Sequence, residues 1–115
     1  MATSRSSSES GWIAGALVFS GRPDPTWAIS SDLAEELLAI WDSLVLTHDA
    51  PATPALGYRG CFVRDAAGLT WTAFYELVTL SSATRSESRR DDDRRFERTV
   101  LDSAPAGTLP ASLVR

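Results

Sequence analysis

The sequence predicts an α+β domain in which a three-stranded, mainly antiparallel sheet carries its helices on one face, in the order strand, helix, strand, strand, helix. Three observations lead there. Trp12 to Phe19 is a continuous apolar run, the pattern of a strand covered on both faces. Leu33, Leu37, Leu38, Ile40, Trp41, Leu44 and Val45 recur at three- and four-residue spacing, as the buried stripe of a helix does. Tyr58 to Arg64 and Leu69 to Leu80 flank Asp65-Ala66-Ala67-Gly68, which reads as the turn of a hairpin.

A chain of 115 residues with 43% hydrophobic content makes one domain with an ordinary core. The net charge of −4 argues against nucleic acid and anionic membrane as partners, because both attract basic surfaces. All eleven basic residues are arginine, which excludes Schiff-base and P-loop lysine chemistry. Cys61 is the single cysteine, so neither an intrachain disulfide nor a cysteine-rich zinc site is available, and a cytoplasmic setting fits. A secretory leader over the first twenty residues is disfavoured, since Glu9 cancels Arg5 and no small-residue cleavage site precedes Arg22.

Residues 1–10 are serine-rich and read as a disordered tail. Residues 11–80 form the predicted α+β core. The helix starts where Ser30, Ser31 or Asp32 accepts from free N–H groups, with Glu35 and Glu36 at the positive end of the dipole. Thr47 to Gly57 reads as loop, broken by Pro51 and Pro54. In the hairpin, a left-handed Gly68 sets Cys61 opposite Ala73, so Cys61, Val63, Trp71, Ala73, Tyr75 and Leu77 share the better core face, with Thr70, Thr72, Phe74, Glu76 and Val78 on the other. Residues 81–91 are polar and read as a flexible linker. Residues 92–115 are expected to supply a short helix with an aspartate cap and the stripe Phe96, Val100 and Leu101, followed by a tail on the core.

The candidate chemistry centres on Ser20-Gly21-Arg22-Pro23-Asp24-Pro25-Thr26-Trp27. Its two prolines limit loop entropy and hold Arg22 and Asp24 in a defined geometry. Arg22 can take a carboxylate or phosphate in its fork, or pair with Asp24, Glu76 or a helix carboxylate as a structural pin. Trp27 is either a lid over the core or a stacking platform. His48 beside Asp49 is the minimum for general base work or metal ligation, but the local sequence offers no third partner. Mid-strand Cys61 reads as a small core residue. No nucleophile elbow, dinucleotide-binding turn or metalloprotease helix motif occurs. Six arginines between Arg85 and Arg98 are interleaved with five acids, so that block reads as solvated and not as a nucleic-acid arm.

These readings point to a non-catalytic binding or accessory module for a protein partner, without cofactor or metal. A rival of another class is an anion-binding protein or enzyme, with ligand contacts from Arg22, Asp24, Trp27, His48 and Tyr58; there Arg22 holds a small anionic ligand and His48 moves a proton. A third reading is a homodimer formed by edge-strand pairing.

Overall fold

A computed structural model describes residues 11–18, 23–49 and 58–109, and the hairpin set by Asp65 lies at the centre of its sheet. The Asp65 carboxylate Oδ1 accepts from the N–H groups of Ala67 at 3.0 Å and Leu69 at 2.9 Å. The Asp65 N–H meets the Leu69 carbonyl at 3.0 Å, and Gly68 takes a φ of 97°, which costs glycine little. The flanking strands, β4 (Cys61–Arg64) and β5 (Thr70–Phe74), pair with Cys61 opposite Ala73 and Val63 opposite Trp71. That is the register the turn chemistry predicts.

The expectation of a three-stranded sheet is overturned. The described residues form one seven-stranded antiparallel sheet and two helices, within the α+β class. The further strands are β1 (Ile13–Ala16), β2 (Thr26–Ala28), β3 (Val45–Thr47), β6 (Leu77–Ser81) and β7 (Ser86–Arg90), and the helices are α1 (Ser31–Ser43) and α2 (Arg95–Asp102). The strand order is β2-β1-β4-β5-β6-β7-β3, which places β1 second from an edge.

Each missed strand has a physical reason. The run Leu69 to Leu80 breaks in two because Tyr75 and Glu76 both turn left-handed, with φ of 55° and 69°, so the face assignment reverses beyond the turn. Tyr75 is exposed, and Val78 instead of Leu77 joins the core cluster. Such two-residue turns favour Asn-Gly or Asp-Gly, so Tyr-Glu gives no warning. The stretch 81–91, expected as a linker, contains β7, which pairs with β6 on one side and β3 on the other. Its polar side chains find local partners: Ser88 Oγ meets Thr79 Oγ1 at 2.9 Å, and the Arg89 guanidinium lies 4.4 Å from the Trp41 ring centroid and donates to the Trp41 carbonyl at 3.0 Å. Arginine therefore covers the core here with its flat cationic face.

The helix ends two residues before the Val45 limit set by its periodicity. Ser30 Oγ caps its start from 3.1 Å, and at its end Leu44 turns to an extended ψ of 149° and leads into β3. Thr26-Trp27-Ala28, inside the proline-rich stretch, pairs with β1. The tail at residues 1–10 and the segment after residue 109 lie outside the described residues.

The core forms between one face of the sheet and both helices. Ala14, Ala16, Cys61, Val63, Trp71, Ala73 and Val78 meet Leu37, Ile40 and Trp41 of α1 and Phe96 and Val100 of α2. The small residues at Ala14, Ala16 and Ala73 suit the close approach of α2, which touches β1, β4 and β5.

Asp91 joins the pieces. Its carboxylate, 2% exposed, accepts from the N–H groups of Arg95 at 2.9 Å, Phe96 at 3.1 Å and Glu97 at 3.3 Å, and its own N–H reaches the Glu76 carbonyl at 2.8 Å. Replacing Asp91 by alanine leaves buried donors unpaired at the positive helix end, and is expected to cost about 2–4 kcal/mol in urea unfolding. Asp93→Ala, at an exposed position, is expected to stay within about 0.5 kcal/mol of the parent in the same measurement.

Candidate functional site

The residues named from sequence are placed as follows. Arg22 lies outside the described residues. Asp24 Oδ1 accepts from the Val18 N–H at 2.8 Å, and Oδ2 stands 3.7 Å from the Arg59 guanidinium, so it ties the β1–β2 connection to the approach of β4. Trp27 is buried at 7% exposure, and its Nε1 donates to Ser103 Oγ at 2.8 Å. His48 is exposed just beyond β3. Asp24 precedes β2 and His48 follows β3, the two opposite edges of the sheet. Six strand spacings of about 4.8 Å, roughly 29 Å, separate those edges. The structure thus does not bring Asp24 or Trp27 together with His48.

Tyr58 belongs to a buried polar cluster. It is half-buried, and its hydroxyl donates to Oε2 of Glu97, a residue 3% exposed. Arg94 Nε donates to Oε1 of the same carboxylate at 3.2 Å, and Cys61 Sγ lies 3.7 Å from the Glu97 carbonyl. Gly60, just ahead of Cys61, has a φ of 111°, and a Cβ there would fall 2.7 Å from the Ala73 carbonyl oxygen, so the backbones meet where no side chain fits. The Tyr58 ring packs edge-on to Phe74 with centroids 5.9 Å apart.

Burial, followed by the neighbouring Cys61 and Glu97, pushes the Tyr58 phenol far above its ordinary range. Burial and then the Glu97 charge do the same to the Cys61 thiol. Both groups stay protonated at neutral pH. The cluster holds protons and joins α2 to β4; it offers no thiolate nucleophile. By composition alone Glu97 is one more charge within the arginine block. Its position between Phe96 and Val100, inside the helix's apolar stripe, was the signal that it would be buried.

A second feature is exposed. Val45 at 70%, Leu46 at 56% and Tyr75 at 65% are the large hydrophobic residues open to solvent among those described. Val45 and Leu46 are neighbours on β3 whose side chains face opposite sides of the sheet, and Tyr75 stands in the β5–β6 turn at the same end. Val45, Arg90 and Leu77 stand in a row across β3, β7 and β6, and Tyr75 opens the hairpin two residues before Leu77. Arg90 lies between them, with its guanidinium 2.7 Å from Asp49 and 2.9 Å from Asp92. This end of the sheet thus exposes apolar side chains on both faces, with the paired charges of Arg90 among them.

Among the described residues, no cluster of three or more His, Cys, Asp or Glu is placed to hold a metal ion, and no helix is long and apolar enough to cross a membrane. Comparison with family models, curated proteins and solved structures gave no significant match.

The buried cluster makes stability depend on pH in one direction. The unfolded chain releases the thiol proton near 9.0 and the phenol proton near 10.0, whereas the folded chain retains both. The melting temperature is therefore expected to hold near neutral pH and to fall as pH rises above about 9. Cys61→Ala should remove the earlier part of that fall in a melting series monitored by circular dichroism. Tyr58→Phe should lower stability by about 1–3 kcal/mol, because the buried Glu97 carboxylate loses a donor.

Proposed function

We propose that the chain is a non-catalytic interaction module whose contact surface is the β3 edge, occupied by the β3 edge of a second copy. The observation that carries this is the exposure of two large apolar residues, Val45 and Leu46, on the edge strand β3. An edge strand presents unpaired N–H and C=O groups along one side, and proteins commonly blunt such edges with proline or charge. The β2 edge is blunted in that way, since Pro25 directly precedes it. The three β3 residues are Val, Leu and Thr, without proline or charge.

The geometry is self-complementary. An antiparallel pairing centred on Leu46 sets Leu46 against its own copy and Val45 against Thr47, with no like charges directly opposite. Successive strand residues face opposite ways, so Val45 and Leu46 gain cover on the two faces of the joined sheet. Three residues per copy make a contact well below the roughly 1,600 Å² of a standard interface, so the dimer is weak and reversible. Each copy carries a net charge of −4, and screening this repulsion favours association.

Sedimentation of the parent chain over a wide concentration range is expected to show a monomer–dimer equilibrium that strengthens with added salt. The double variant Val45→Lys, Leu46→Lys should remain monomeric while its unfolding free energy changes by less than about 1 kcal/mol, since both positions are exposed. A parent chain that stays monomeric at millimolar concentration would overturn the proposal.

A further inference from the structure

A groove of about 320 Å³ opens at the other end of β6 and β7 from the Val45 corner, lined by Leu69, Leu80, Ser82, Arg85, Ser86 and Glu87. Leu69 and Leu80 are half-buried, pack against the core and supply an apolar floor. The charges at the rim are unevenly compensated. Glu87 Oε2 is held by Arg89 at 2.8 Å from both Nε and Nη2, so two donors of one guanidinium compensate its charge. Arg85 makes no ion pair with any described residue, so its guanidinium is the uncompensated charge of the groove. Ser82 Oγ accepts from the Thr84 N–H at 3.4 Å, which leaves its own hydroxyl proton to donate.

We propose that this groove binds a small amphiphilic monocarboxylate, with its head group on the Arg85 fork and the Ser82 and Ser86 hydroxyls and a short aliphatic chain on Leu69 and Leu80. A carboxylate matches the planar fork of one arginine in charge and shape. A dianionic phosphate would set a second negative charge beside Glu87 with no cation left to meet it. At about 320 Å³ the groove is at the small end of ligand sites, which suits a short chain of hexanoate or octanoate length. Leu80 pairs across the strands with Trp71, whose buried indole N–H finds no acceptor among the described residues, so that indole is a nearby reporter of occupancy.

The test is a titration of the full chain with octanoate, followed by amide chemical shifts and by tryptophan fluorescence. Saturable shifts confined to residues 69, 80, 82 and 85–87 are expected, with acetate and octanol each binding more weakly. Arg85 is exposed, so Arg85→Gln should leave the melting temperature unchanged and weaken octanoate about tenfold, by loss of a charge-assisted pair. Shifts that do not saturate, shifts spread over the whole surface, or equal affinity in Arg85→Gln would overturn the site. Displacement of octanoate by inorganic phosphate would overturn the choice of head group.

Discussion

The Asp91 carboxylate holds three N–H groups of α2 while its backbone holds the turn between β5 and β6, and much of the architecture depends on that double contact. A helix of eight residues is too short to persist alone, so α2 requires both the cap and the sheet beneath it. The cap anchors α2 at the end of β7, and from there Phe96 and Val100 reach the core while Glu97 stands over Cys61. One buried charge thus fixes where the C-terminal helix begins and which residues it turns inward. Its cost of burial is offset because its hydrogen bonds all converge on the positive end of a helix dipole.

The legible parts of this chain were those governed by local chemistry. Asp65 and Gly68 specify their turn within five residues, and the α1 stripe repeats often enough to declare a buried face. The hidden parts were those governed by partners distant in sequence. β7 contains no apolar residue, yet it is an internal strand because β6 and β3 complete its backbone hydrogen bonds and because Arg89 covers Trp41. Hydrophobic patterning cannot reveal such a strand, since its cover comes from a guanidinium and a hydroxyl pair. The Tyr75-Glu76 turn was hidden for a related reason: tertiary contacts hold two non-glycine residues in a conformation their own preferences disfavour.

The candidate site was less legible than the fold. Of the described residues picked as a site from sequence, Asp24 and Trp27 serve the architecture through Val18 and Ser103, and Tyr58 enters a buried polar cluster. Proline-framed loops look like binding sites because rigidity suits both ligands and turns, and the residues alone do not separate the two. The exposed corner depends on strand order, which sets Val45 and Leu46 at an edge although the helical periodicity had assigned Val45 to a buried stripe.

The order of the sheet also bears on how the chain emerges during synthesis. β3 follows α1 directly, but its only neighbour in the described sheet is β7, so Leu46 must wait for Arg89 before it has a place to pair. Until then the Trp41 face of α1 lacks the guanidinium that later covers it. A nascent chain released or stalled before β7 would display an apolar helix face and an unanchored strand together. Quality-control factors bind that combination, and they would compete with folding until the last strand is made.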